Sequence, residues 1–289
     1  MKAVFGDYQL DLSSRTHVMG ILNVTPDSFS DGGLYTDPDR ALEHALKMVE
    51  DGADIIDIGG ESTRPGAEAV PLEEELRRTI PVIERLSREV TVPISIDTYK
   101  SEVARRAIEA GASIVNDISA LRFDPEMVST VADSKAGLIL MHIKGTPRDM
   151  QKNPHYDDLF SEIKDYLSES ITLAESKGIS RNRMVVDPGI GFGKTLEHNL
   201  KIIANLGFLR ELGLPILIGP SRKSFIGMIL DGVPPSERIE GTASSVAISV
   251  LNGANIVRVH DVKEMTRVVR VADAIKREIN LGYQGELTC

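Results

Sequence analysis

Three segments of this 289-residue chain repeat one pattern: Asp51-Gly-Ala-Asp-Ile-Ile-Asp57, Ala110-Gly-Ala-Ser-Ile-Val-Asn116 and Asn252-Gly-Ala-Asn-Ile-Val-Arg258. In each, a glycine suits the left-handed cap that ends a helix, a short apolar strand follows, and a polar residue emerges at the strand's far end. Each is therefore a helix-to-strand unit. The other short apolar runs extend the series to strands near 17–23, 54–59, 93–97, 113–117, 137–142, 184–187, 215–219 and 255–259. Amphipathic helical stretches lie between and after them, at roughly 39–51, 72–88, 101–110, 125–134, 158–177, 198–212, 238–252 and 262–280. Such regular alternation, without a linker or a break in composition, predicts one α/β domain over residues 1–289. The expected fold is a (β/α)8 TIM barrel whose site is built by the loops that follow the strands. An open doubly wound sheet is the alternative. Val4 to Leu12, with a turn at Gly6-Asp7, alternates like a β-hairpin and is expected to cover the barrel bottom.

Composition removes several classes of function. A hydrophobic content of 42% is ample for a core. The single cysteine, Cys289, excludes disulfides and cysteine-rich zinc sites and suits a reducing compartment. The N-terminal stretch lacks the apolar core of a secretory leader, and no run approaches the ~20 apolar residues of a membrane span. A cytoplasmic protein without membrane partners is expected. The net charge of −10 argues against nucleic acid as a partner, so an anionic ligand must be held by a local basic cluster.

The predicted strands end on Asn23, Asp57 with Glu61, Asp97, Asn116, His142, Asp187, the Ser221-Arg222-Lys223-Ser224 run, and Arg258 with His260. Each strand thus delivers polar groups to the face where such barrels work. Buried charges cost several kcal/mol unless paired, so a converging ring of carboxylates, amides and a lysine implies a ligand. Pairing among themselves and helix capping are the ordinary alternatives for any one of them; for Asp97 a strand running into a helix N-cap is the alternative, but ligand binding stays ahead because the aspartate closes the strand before the cap residues.

The ordered motifs Gly20-Ile-Leu-Asn-Val-Thr-Pro-Asp-Ser-Phe-Ser-Asp31, Gly59-Gly-Glu-Ser-Thr-Arg-Pro-Gly66, Ser95-Ile-Asp-Thr98, Val115-Asn-Asp117, Asp187-Pro-Gly-Ile-Gly-Phe-Gly-Lys194, Ser221-Arg-Lys-Ser224 and Arg258-Val-His260 resemble those of the dihydropteroate synthase family over nearly the whole chain. The resemblance implies two substrates, 6-hydroxymethyl-7,8-dihydropterin diphosphate and p-aminobenzoate, condensed to 7,8-dihydropteroate and diphosphate. Asp187 would receive the pterin's amidine-like edge through two parallel hydrogen bonds, as a carboxylate receives arginine. Asp97, Asn116, Lys223 and Gly219 would complete the pterin set, with Met141 and Phe192 over the ring faces. Arg258 and His260, alternating around Val259, would clamp the diphosphate, joined by Thr63 and Arg64. Asn23 would supply an oxygen to Mg²⁺, the implied cofactor, which takes few protein ligands beside phosphate and water. Phe29, Thr63, Pro65 and Ser224 would form the aminobenzoate pocket. Asp31, Asp97 and Lys223 are the expected catalytic set, acting electrostatically on an SN1-like C–O cleavage, since a neutral arylamine needs no strong general base. A homodimer through the late helices is also implied.

Other readings fit less well. Gly189-Ile-Gly-Phe-Gly-Lys-Thr195 misses the P-loop, because a glycine would be required at Pro188, and it also fails the dinucleotide spacing. Gly219-Pro-Ser-Arg-Lys223 lacks the last glycine of a nucleophile elbow. A pterin-binding methyltransferase domain of the methyltetrahydrofolate type shares the barrel but has no diphosphate to hold, so Arg64, Arg258-Val-His260 and the 25–31 loop weigh against it. A catalytically dead barrel should have lost site residues, and none is missing.

Overall fold

The computed structural model describes residues 1–25, 38–64 and 66–285. A two-stranded hairpin, β1 (Lys2–Phe5) and β2 (Tyr8–Asp11), precedes eight parallel strands. These are β3 (His17–Asn23), β4 (Ile55–Gly59), β5 (Ile94–Asp97), β6 (Ile114–Asp117), β7 (Gly137–Met141), β8 (Met184–Asp187), β9 (Leu217–Ile218) and β10 (Ile256–Val259). Their spatial order is β8-β7-β6-β5-β4-β3-β10-β9, and a bridge between Val186 and Ile216 brings the two ends together. The sheet is the expected barrel rather than an open doubly wound one.

The repeated Gly-Ala units fold as their chemistry predicts. Gly52, Gly111 and Gly253 sit at φ of +101°, +118° and +115°, a region closed to most side chains, and each turns a helix into a strand. Around the barrel run α1 (Pro38–Glu50), α2 (Leu72–Glu89), α3 (Ser101–Ala110), α4 (Met127–Ala132), α5 (Leu159–Ser176), α6 (Leu196–Ala204), α7 (Ser224–Ile229), α8 (Ile239–Leu251) and α9 (Val262–Gly285). Two elements depart from the periodicity. The stretch predicted over 198–212 begins at a capping box between Thr195 and His198, ends at Ala204 and continues as a 3₁₀ helix, Leu206–Leu212, closed by left-handed Gly213. The short α7 was not anticipated; Phe225 and Ile226 bury against the helical layer, while its few residues carry no readable period.

The barrel interior is layered. Met19, Ile55, Ile114, Ile139, Val185, Leu217 and Ile256 form its lower layer, and Ala3, Phe5 and Leu12 of the hairpin segment close it from below. Phe5 packs so tightly over β7 that a Cβ on Gly137 would lie 2.1 Å from its ring. With the lower end stoppered by apolar contact, the polar side chains one layer up can open only toward the strands' C-terminal ends.

Candidate active site

Above that layer the inward positions turn polar. Asp97, Asn116, Met141, Asp187, Gly219, Lys223 and Arg258 line one pocket with Ile118, Ile190 and Phe192. All seven residues expected to meet the pterin are thus brought together: Asp97, Asn116, Met141, Asp187, Phe192, Gly219 and Lys223. Ile118, Ile190, Met141 and Phe192 supply its apolar walls, a shape suited to a flat ring with a polar edge. Ile118 and Ile190 carried no signal in the sequence that distinguished them from core.

Asp187 is held by its own loop. Gly189 N–H donates to its Oδ1 at 2.7 Å, and the loop is pinned in turn by Gln151 on Gly191 O (2.7 Å), Asn199 on Gly191 N–H (2.8 Å) and Tyr156 on Gly193 O (2.8 Å). Gly189, Gly191 and Gly193 all have positive φ. A Cβ on Gly189 would fall 1.9 Å from the carbonyl oxygen of His142, so this close approach requires glycine. Behind the loop Lys194 is almost fully buried; its Nζ donates to Phe192 O at 3.0 Å and stands 2.9 Å from His142 Nδ1. Burial lowers Lys194 to about 7 and pushes His142 well below its ordinary value. The Lys194–His142 pair was not among the expected site residues. In the sequence His142 stands only as the polar end of its strand, and Lys194 as the lysine after the glycine run, which reads first as a failed P-loop.

Arg258 takes a different position from the one expected. It does face the barrel with His260, but its Nε donates to Asp57 Oδ2 at 2.5 Å and its Nη2 to Asp97 Oδ2 at 2.6 Å. Burial opposes its charge, yet the two carboxylates hold it firmly protonated. His260 Nδ1 lies 2.9 Å from Ser221 Oγ, and burial beside Arg222 and Arg258 drives it to about 3, so the ring is neutral at pH 7. The two therefore do not form a pair of free cations here, because Arg258 is engaged by Asp97 at the pocket wall and by the enclosed Asp57 behind it. Glu61 also turns away from the pocket, accepting from Tyr99 Oη at 2.8 Å and pairing with Lys100.

Asn23, Thr63, Arg64 and Ser224 stand at or beyond the strands' C-terminal ends. Asn23 ends β3, with its Oδ1 3.7 Å from where a Gly59 Cβ would stand. Thr63 and Arg64 follow β4 on a loop that meets the 145–150 turn through Gly66 N–H to Pro147 O (3.0 Å). Ser224 is exposed at the start of α7. Phe29, Asp31 and Pro65 lie outside the described residues.

Burial raises Asp187 to about 6, opposed by the Gly189 N–H and Lys223; burial and Arg258 lower Lys223 to about 8. Both shifts oppose the charged form, so ionising Asp187 costs folding stability as pH rises through about 6, and protonating Lys223 costs it as pH falls through about 8. A ligand that meets both charges relieves those costs. Affinity for the bare pterin is expected to be highest between pH 6 and 8, falling below as Asp187 takes a proton and above as Lys223 loses one. Calorimetric titration from pH 5 to 9 checks it, and a flat profile would separate these groups from the ligand.

The barrel, stoppered at one end, opens at the other on a pocket lined by Asp97 and Asp187, and the profile of the family described as pterin binding enzyme matches residues 19–260, which makes this a pterin-binding enzyme. The dihydropteroate synthase of Synechocystis sp. is 52% identical over 94% of this chain and 94% of its own. The solved structure of Xanthomonas albilineans dihydropteroate synthase with 4-aminobenzoic acid is 47% identical, with a TM-score of 0.87 over 93% of this chain and 95% of that one. The same organism's enzyme in complex with 7,8-dihydropteroate is 43% identical, with a TM-score of 0.86 over 96% and 99%. The chain belongs to the dihydropteroate synthase family of pterin-binding transferases.

Proposed function

We propose that this enzyme condenses 6-hydroxymethyl-7,8-dihydropterin diphosphate with p-aminobenzoate, releasing diphosphate and 7,8-dihydropteroate through an SN1-like path. The observation that carries the reading is the Asp187 carboxylate, anchored by the Gly189 N–H at 2.7 Å and lining one pocket with Asn116, Lys223, Met141 and Phe192. The bond that breaks is carbon–oxygen at the methylene, and its electron pair leaves on the diphosphate. The cation left behind is delocalised into the ring nitrogens, where the charges of Asp97 and Asp187 favour it. The arylamine nitrogen then forms the new bond and gives its proton to solvent. Family residues Asp31, Phe29 and Pro65 belong to the same scheme, with Thr63 and Ser224 beside the aminobenzoate.

Around the mouth, Arg64, Thr63, Asn23 and His260 with Ser221 face the leaving group, and Arg258 joins them if the ligand takes over its hold on Asp97. Among the described residues no three His, Cys, Asp or Glu side chains cluster to cage a metal, which fits Mg²⁺ held by Asn23 and completed by phosphate oxygens and water. When bound, the ion supplies charge neutralisation to the departing diphosphate.

A coupled assay should show diphosphate release that requires both p-aminobenzoate and Mg²⁺. Methyl transfer from methyltetrahydrofolate without activity on the pterin diphosphate would overturn the reading.

Two copies are proposed to associate through the late helices. Met228 on α7, Ile248 on α8 and Val271 and Ile275 on α9 expose 63%, 46%, 61% and 48% of their surface, and α8 packs along α9. Exposed apolar side chains on neighbouring helices mark an interface. Sedimentation should give a dimer for the native chain and a monomer for Ile248→Asp/Val271→Glu; a native monomer would refute it. Cytoplasmic placement is part of the same reading, supported by the lone cysteine; no helix among the described residues is long and apolar enough to cross a membrane.

A further inference from the structure

Asp57 lines no part of the pocket, yet two pocket residues converge on it. It stands on β4, fully excluded from solvent. Its Oδ2 accepts from Asn116 Nδ2 at 3.1 Å and from Arg258 Nε at 2.5 Å. Asn116 comes from β6 and Arg258 from β10, each two strands from β4 on opposite sides. One buried oxygen thus ties together both flanks of the site.

The consequence lies in the chemistry of an amide. A carboxylate facing a guanidinium has lone pairs and no proton to donate, so only the NH₂ end of Asn116 can face it. Turning the amide over would bring Asn116 Oδ1 against Oδ2 of Asp57, two buried acceptors with nothing between them, at a cost comparable to a lost buried hydrogen bond. The end of Asn116 left for the pocket is its carbonyl oxygen. Arg258 is constrained by the same atom: its Nε is held by the enclosed Asp57, while its Nη2 reaches Asp97, which lines the pocket. A ligand with N–H donors can compete for Asp97 and has no access to Asp57.

We propose that Asp57 is a positioning residue that sets the hydrogen-bond polarity of the pterin pocket: it locks Asn116 as an acceptor and anchors Arg258, leaving Asp97 as the exchangeable partner. The inference rests on the pterin reading of this site and adds to it a specificity element outside ligand contact. The pocket should accordingly select ring edges that present a donor toward β6.

The test is bare-pterin affinity by calorimetry for the native protein, Asp57→Ala, Asp57→Asn, Asn116→Ala and Asp57→Ala/Asn116→Ala. Asp57→Ala frees Asn116 to rotate and should weaken binding at least ~10-fold. Asp57→Asn should lose less than ~3-fold, because its own carbonyl can occupy the Oδ2 position and accept both bonds. In the Asn116→Ala background, Asp57→Ala should cost clearly less than it does alone, since the residue it positions is gone. The same loss in both backgrounds, or Asp57→Asn as damaging as Asp57→Ala, overturns the proposal while leaving pterin binding by the native protein intact. Absence of pterin binding by the native protein instead overturns the underlying reading, and this inference with it. Should Asp57→Ala fail to fold, the native protein still decides by NMR: adding bare pterin should move the Asn116 Cγ resonance and leave its amide protons on Asp57 nearly unshifted. Amide protons that shift strongly on binding would show the NH₂ end facing the ligand and overturn the proposal.

Discussion

Arg258→Ala is expected to destabilise the fold by about 3 kcal/mol or more and to impair binding of the bare pterin as well as of its diphosphate. Removing the guanidinium leaves Asp57 and Asp97, 0% and 11% exposed, without the cation that bonds both. Breaking a buried ion pair from one side costs more than the pair itself contributes, because the remaining charge stays desolvated. Burial already pushes Asp97 up, and Asp57 adds to it, with Arg258 the larger opposing influence and Lys223 the smaller. Without Arg258 that carboxyl rises further and takes a proton at higher pH. A raised carboxyl stabilises the fold at low pH and loses that contribution as pH rises through its folded value, so the variant's deficit should be smaller at pH 5.5 than at pH 8. Denaturant unfolding at the two pH values measures it. A variant as stable as the native protein at pH 8 would mean that water replaces Arg258 around both carboxylates. Because Asp97 lines the pterin pocket, the loss should not be confined to the diphosphate; an effect confined to it would place Arg258 back at the leaving group alone.

Asp187→Asn should weaken bare-pterin binding by more than ~10-fold while leaving the fold in place. The two side chains have nearly the same shape, so the change is one of polarity. Gly189 N–H, 2.7 Å from Oδ1, requires an acceptor there. The new asparagine must therefore keep its carbonyl oxygen on the glycine and turn its NH₂ toward the ligand. Ring N–H donors then meet a donor, and buried groups on both sides go unsatisfied. The capping bond itself survives, which is why stability should change little. Calorimetry and thermal unfolding of the same preparation separate the two effects. Unchanged affinity in a folded protein would make Asp187 a structural carboxylate that only shapes its loop.

Much of this architecture could be read along the chain, because its causes are local. The Gly-Ala repeats announced helix-to-strand turns, since the left-handed cap excludes most side chains whatever surrounds it, and Gly52, Gly111 and Gly253 adopt it. The alternation of Val4 to Leu12 around Gly6-Asp7 announced a hairpin that lies at Phe5↔Tyr8. The short α7 escaped because six residues hold too little periodicity, and α6 broke early because Asn205 leaves helical geometry in favour of a 3₁₀ continuation.

The same division runs through the site. Sequence alone determined which residues stand at the strand ends, because a period of two along each strand and a polar residue after each apolar run decide which side chains face inward and how far along. The tertiary structure alone decided how those residues are spent. Arg258 and Asp57 are 201 positions apart, and Asp57 and Asn116 are 59 apart; no local pattern relates them, and only closure of the barrel brings their atoms to bonding distance. That closure turns an arginine expected at the diphosphate into the counter-ion of two carboxylates, sends Glu61 to Lys100, and sets Lys194 against His142 behind the pterin loop. Burial then completes the assignment, since charge in a low-dielectric interior is stabilised by the nearest opposite charge, and that distance exists only in three dimensions.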